Sequence, residues 1–132
     1  GQGQSIEIPM FETMVPFVLG EHLSGETFEP PLGPLGYSRL LARERTPFAT
    51  LDGYVCALIY TDQHWRAFFA ALGEPERFAA DPRLADIGTR TQHIAALYGM
   101  LAEILRTRST DDWLAFFDRA DIPAMRLNTL ES

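Results

Sequence analysis

The sequence predicts an α+β fold in which short antiparallel strands pack with several helices. Asp52-Gly53 is a hairpin-type turn dipeptide standing between residues 47–50 and a continuous apolar run at 54–60, Tyr-Val-Cys-Ala-Leu-Ile-Tyr. Beyond it, Trp65, Phe68, Phe69 and Leu72 recur at the spacing of one helix face. A longer stripe of Leu97, Met100, Leu101, Ile104 and Leu105 repeats the pattern. With 132 residues, 46% of them hydrophobic, the chain is long enough for one real core and too short for two ordinary ones.

From the N-terminus, Ile6 and Ile8 alternate with Ser5 and Glu7 as a half-buried strand would. Pro9 opens an apolar helix in which Met10, Phe11, Met14, Val15, Phe17, Val18 and Leu19 cover most of the circumference. Such a helix calls for nearly complete burial, and it is a sticky surface wherever its packing partner is missing. Pro16 removes a helical hydrogen bond and is expected to kink or end that helix. Seven Gly and Pro residues between 24 and 47 forbid regular structure over most of the span, which reads as a linker or functional loop. Gly33 and Gly36 in this loop would allow a close backbone approach to a ligand, a weak signal in itself. Arg39, Arg43 and Arg45 at its end suit either a carboxylate or phosphate, or a solvated turn with ion pairs to Glu44.

Residues 47–50 are the natural antiparallel partner of the 54–60 strand. Thr61-Asp62 then supplies a cap and an acidic first turn, and Gly73 ends that helix. Asp81-Pro82-Arg83 marks a turn, and the longest helix is expected over residues 89–108. Ser109-Thr110-Asp111-Asp112 caps the next helix through a hydroxyl and first-turn carboxylates, and Pro123 lies beyond its end. Trp113, Leu114, Phe116 and Phe117 form its apolar face.

Composition narrows the partners. The net charge of −7 and pI near 4.8 leave no basic face for nucleic acid or an anionic membrane. All eleven cationic residues are arginine and asparagine occurs once, a bias expected of GC-rich coding and so of a bacterial source. Cys56, the single cysteine, has no internal disulfide partner and reads as a small buried hydrophobe in a reducing compartment. No apolar run has the length of a membrane span and no signal-type core follows a basic segment, so a cytoplasmic location is expected. The chain begins at Gly1 and reads as a segment excised from something longer.

No catalytic constellation emerges from the residues alone. The segment Gly36-Tyr37-Ser38-Arg39 lacks the spacing of a nucleophile elbow and a strand before it. His22, His64 and His93 stand far apart, so neither a triad nor a metal site is expected, and His64 and His93 read as surface residues near helix starts. Glycine-rich phosphate motifs are missing. Asp62, Asp111 and Asp112 are accounted for by helix starts and Asp52 by its turn, while Asp81, Asp86, Asp118 and Asp121 show no convergent apolar context that would perturb a pKa.

The order of landmarks carries more. Gly1-Gln2-Gly3-Gln4 with Ile6, Ile8 and Met10, then RTPFATLDGYV at 45–55, Trp65, Leu72-Gly73, DPR at 81–83, Arg90, TDDW at 110–113 and ADIP at 120–123 follow in series. Together they resemble the class III CoA-transferase family, which contains formyl-CoA transferases, carnitine CoA-transferases and acyl-CoA racemases. The resemblance covers essentially the whole chain. It implies a large Rossmann-like domain and a small α+β domain, with two subunits interlocked like links of a chain. On that basis residues 1–19 are the last strand and helix of the large-domain segment, 20–46 the linker, and 47–132 the small domain.

The family's reaction implies an aspartate that attacks an acyl-CoA thioester to give a mixed anhydride, which the CoA thiolate then opens before the acceptor acid takes over. In the racemase branch an equivalent aspartate works with a histidine as an acid/base pair. By the resemblance this aspartate precedes the Gly1–Gln4 element, so no catalytic residue lies in this chain, which by itself should be inert. The CoA-binding arginines belong mostly to the same part, and none of Arg39, Arg43 or Arg45 carries over as a CoA ligand. The small domain contributes one wall of the acyl pocket, matched here by Arg45, Tyr60 and Thr61. Formyl-CoA transferases carry a glycine-rich loop before the Asp-Gly turn; this chain has Tyr37-Ser38-Arg39-Leu40-Leu41 there, which weighs against a formyl-specific enzyme. The implied partners are an acyl-CoA and a carboxylic acid, with CoA thioester as substrate and no tightly bound cofactor. An acyl-CoA racemase of the same family, a different CoA-handling enzyme, and a non-enzymatic interaction domain docking through residues 10–19 are the competing readings.

Overall fold

A computed structural model describes residues 3–130. Gly1 and Gln2 of the Gly1–Gln4 element lie outside the described residues. The chain divides after Leu41 into two compact units, a division that falls within the span expected as a linker.

The first unit contains α1 (Met10–His22) and the short α2 (Ser38–Leu41), with a 3₁₀ turn at Ser24–Thr27. Residues 5–8 form no strand, and Ile6 and Ile8 are 71% and 73% exposed. A strand is stable only beside another, and no strand of the described residues pairs with this one. Helix α1 buries none of its residues, and Phe11 and Phe17 are about three-quarters exposed, so the expected burial is not met within the unit. Its contacts with residues 24–41 gather at its C-terminal end: the Gly36 amide donates to the His22 carbonyl at 2.8 Å and the Tyr37 amide to His22 Nδ1 at 3.3 Å. Pro16 does not stop the helix, which runs on to His22. Its ring leaves only the Glu12 carbonyl without a helical donor, on an exposed surface where water can serve. Gly25 is the close approach in the following loop, since a Cβ there would meet the Gly33 backbone nitrogen at 2.2 Å. The close approach is thus to Gly33 of the same loop.

The second unit holds a three-stranded antiparallel sheet and five helices. Its strands are β1 (Phe48–Ala49), β2 (Tyr54–Ala57) and β3 (Ala124–Arg126), in the order β1-β2-β3. Phe48 pairs with Val55 across the hairpin, and Ala57 pairs with Ala124 on the other side. Strand β2 is shorter than its apolar run because its pairing with β3 runs out: the Leu58 amide donates in register to the Pro123 carbonyl at 2.8 Å, but Pro123 has no N–H to return the bond. Cys56 is only partly buried, beside Met125, because it faces away from Val55 and the core.

The helices are α3 (Asp62–Leu72), α4 (Pro75–Ala80), α5 (Ile87–Gln92), α6 (Ile94–Leu105) and α7 (Thr110–Arg119). Thr61 caps α3 by accepting from the His64 amide at 3.1 Å, and Ser109 caps α7 by accepting from the Asp112 amide at 3.1 Å. Helix α3 ends at Gly73, whose φ of 84° is left-handed and whose neighbours close a Schellman motif: Gly73 donates to Ala70 and Glu74 to Phe69. Helix α7 ends the same way at Asp121, φ 53°, with Ile122 donating back to the Phe117 carbonyl at 2.9 Å. The helix expected over 89–108 is two helices. Asp86 starts the first by accepting from the Thr89 amide, and His93, at φ −106° and ψ 18°, breaks the run between them.

The core is aromatic. Trp65, Phe68, Phe69, Trp113 and Phe117 are at most 1% exposed. Trp113 meets Phe116 edge-on at 5.1 Å and donates its indole N–H to the Leu105 carbonyl at 2.7 Å. Among the described residues no helix is long and apolar enough to cross a membrane.

Candidate functional site

The antiparallel register sets the geometry of the site. Because Phe48 lies beside Val55, the chain before β1 and the chain after β2 share one end of the hairpin, opposite the Asp52-Gly53 turn. Strand β3 starts at that same end, where Ala124 lies beside Ala57 and Pro123 accepts from Leu58. Arg45, Tyr60, Thr61 and the corner between α7 and β3 are therefore brought to one end of the sheet, though they come from distant parts of the sequence.

Arg45 is exposed in the loop before β1, its amide donating to the Ala42 carbonyl at 3.0 Å. Arg43 is exposed too, and no ion pair joins Glu44 to either arginine among the described residues. Arg39 is half-buried in α2 of the first unit and has interactions of its own. The stretch from Ser38 to Leu41 is helical, as its lack of a glycine run permits.

The corner after β2 is tightly tied. The Tyr60 amide donates to His64 Nδ1 at 3.3 Å, the Thr61 hydroxyl accepts from the His64 amide, and Asp62 takes the guanidinium of Arg90. His64 is thus a structural acceptor in the first turn of α3, half-buried, rather than a free surface residue. Arg90 is 4% exposed and also donates to the Leu84 carbonyl at 3.0 Å. By sequence alone Arg90 reads only as a landmark and Asp62 only as a helix-start acid. The signal available was an arginine four residues before Ile94, the start of the buried stripe of α6.

At the opposite end of the hairpin, Asp52 does more than make a turn. One of its oxygens accepts from the Thr110 amide at 2.7 Å, from the Thr110 hydroxyl at 2.9 Å and from the Thr50 hydroxyl at 3.3 Å. Those bonds, the Thr110 amide foremost, hold its carboxyl below the usual aspartate range. Gly53 keeps this contact close, since a Cβ there would lie 3.1 Å from the Thr110 hydroxyl. Two further aspartates expected to be unperturbed are lowered. Asp81 is held down first by its side-chain bonds to Arg83, and Asp86 by the Thr89 amide that it caps. Asp118 and Asp121 do have apolar company: they border an open groove lined by Leu114, Phe117, Ile122, Pro123 and Ala124. Among the described residues no three of His, Cys, Asp and Glu gather as a metal site would need.

A family model described as CoA-transferase family III matches residues 1–132. The chain belongs to that family. It is 25% identical over its whole length to an acyl-CoA transferase from Fusarium pseudograminearum (strain CS3096), and it spans 29% of that protein. A solved CAIB/BAIF family protein from Brucella suis is 24% identical, with a TM-score of 0.60 over 98% of this chain and 34% of its own. A hypothetical protein from Mycobacterium tuberculosis, also 24% identical, gives 0.57 over 67% of this chain and 25% of its own. The structural likenesses establish the shared fold. The α+β arrangement of short antiparallel strands and several helices is consistent with the small domain of a class III CoA-transferase.

Proposed function

We propose that the protein containing this chain transfers CoA between an acyl-CoA thioester and a carboxylic acid. The observation that carries the reading is the match of the family model to all 132 residues, and the acyl-CoA transferase among its relatives supports it. The nucleophile is an aspartate outside this chain. Its carboxylate attacks the thioester carbonyl and expels CoA thiolate, leaving an acyl-aspartyl anhydride. The thiolate attacks the aspartyl carbonyl of that anhydride, forms an aspartyl-CoA thioester and releases the donor acid. The acceptor carboxylate then reverses both steps and carries CoA away. In this scheme CoA is substrate throughout, and no tightly bound cofactor takes part.

The part of this chain is to close one side of the acyl pocket. Arg45, Tyr60 and Thr61 stand toward the sheet end away from the Asp52-Gly53 turn, a placement that supports a shared role as pocket wall. The working enzyme is an interlocked homodimer in the bacterial cytoplasm.

The test is incubation of the full-length protein in heavy water with a branched acyl-CoA and a panel of carboxylic acids, read by mass spectrometry of the thioester pool. New thioesters without label at the α-carbon are the expected result. Label at the α-carbon without new thioesters would replace transfer by racemisation, with the same residues walling an enolate pocket. No change in the pool would favour an interaction domain, for which the exposed apolar face of α1 is the candidate surface.

A further inference from the structure

A buried arginine asks for a reason. Removing a guanidinium from water is costly, and apolar side chains of similar volume often serve stability equally well or better. Arg90 is nevertheless 4% exposed in the second unit, and its two ends are committed. One amino group donates to the Leu84 carbonyl at 3.0 Å, and the other holds the Asp62 carboxylate. Leu84 is itself fully buried, in a 3₁₀ turn (Pro82–Leu84) that Asp81 caps by accepting from the Arg83 amide at 3.0 Å. The anchor point is therefore fixed.

The other end of the clamp is different. The Asp62 side chain is 47% exposed, and its second cation, Arg66, stands 3.9 Å away on the solvent side. Asp62 is the first residue of α3 and follows Thr61 and Tyr60 directly. Those two residues are tied to His64, one turn further on in the same helix, by bonds of 3.1 and 3.3 Å. Local bonds thus make Tyr60, Thr61 and the first turn of α3 one body, which buried Trp65 seats in the core and Arg90 ties there by a polar bond from outside the helix.

We propose that Arg90 is a positioning residue of the acyl pocket: through Asp62 it sets where the Tyr60-Thr61 wall stands, and thereby which acyl chains the pocket admits. The proposal rests on the reading of Tyr60 and Thr61 as pocket wall. A guanidinium suits this task because its planar fork holds its two amino groups, one on the Leu84 carbonyl and one on the Asp62 carboxylate, in a fixed relative direction.

The test compares acetyl-, butyryl- and octanoyl-CoA as donors to one acceptor acid in the full-length protein, with kcat and KM measured separately. The variants are Arg90→Met, Asp62→Ala, their double and Tyr60→Ala; Asp62→Ala serves should Arg90→Met fail to fold. Each clamp variant should shift the kcat/KM ratio between donors by about tenfold, the discrimination a slack apolar pocket loses. The change should lie mostly in KM, and the double variant should go no further than the singles. A Tyr60→Ala shift alongside unmoved ratios in both clamp variants overturns the clamp and spares the wall. An unmoved ratio in Tyr60→Ala overturns the wall, and the clamp falls with it. An equal loss on all three donors with a lowered melting temperature makes Arg90 merely structural and also overturns the proposal.

Discussion

Replacing Thr110 by valine isolates the latch between the hairpin turn and α7. Thr110 is fully buried and Thr50 is 9% exposed, so their hydroxyls depend on each other and on Asp52. Each hydroxyl has one proton. The arrangement using the two shortest contacts is Thr50 donating to Thr110 at 2.7 Å and Thr110 donating to Asp52 at 2.9 Å. Valine keeps the volume and removes both bonds, leaving Thr50 its longer contact to Asp52 at 3.3 Å. At about 1 kcal/mol for each net hydrogen bond, the loss is about 2 kcal/mol. For a chain of this size that lowers the melting temperature by roughly 8 °C. Urea unfolding followed by tryptophan fluorescence measures it, since Trp113 lies in the first turn of α7 and Trp65 in the same core, and the denaturant slope should not change.

Acidification supplies a second check on the same latch. The folded-state pKa of Asp52 lies below its ordinary 3.8, mainly through the Thr110 amide and then the Thr110 hydroxyl. A depressed carboxyl contributes stability that is present above the unfolded pKa and lost as pH falls through the folded one. Thr110→Val keeps the amide bond and loses only the hydroxyl's share of that depression, so the gap between the parent chain and the variant should hold at neutral pH and narrow by that share below about pH 3.8. A loss under about 0.5 kcal/mol, or a gap indifferent to acid, would refute the latch.

The other expectations concern the two Schellman ends, the core and the acid limb. Gly73→Ala should cost about 1 kcal/mol by urea titration, because φ of 84° disfavours any Cβ even though the space around it is open. Asp121→Gly should be neutral or stabilise by up to ~1 kcal/mol, because it relieves the same conformation at φ 53°. Trp113→Phe should cost about 3 kcal/mol, since it orphans the buried Leu105 carbonyl and leaves a void beside Phe116 and Phe117. Overall stability should fall as pH drops below about 3.8, because Asp52, Asp81 and Asp86 all have lowered folded-state values; a flat acid limb in a pH series of melts would contradict this.

What the sequence by itself determined is what a few neighbouring residues decide. The Thr61 and Ser109 caps, the Gly73 stop, the Asp52-Gly53 hairpin and the apolar faces of α3, α6 and α7 were all legible, because each depends on backbone geometry within one or two turns. The order of short landmarks from Gly1 to Pro123 carried the family, although no residue among them makes a catalytic set. Tertiary structure decided the rest. Thr110 meets Asp52 across 58 residues and Arg90 meets Asp62 across 28, and neither pairing leaves a periodic trace in the chain. Strand β3 exists because β2 offers it an edge, whereas residues 5–8, with equally good alternation, find none among the described residues. The long helix breaks at His93, at φ −106° and ψ 18°, a break that local propensity does not register. Arg45, Tyr60 and Thr61 come to one sheet end by strand register, because an antiparallel pairing joins positions far apart in sequence, and that register is written only in the folded chain.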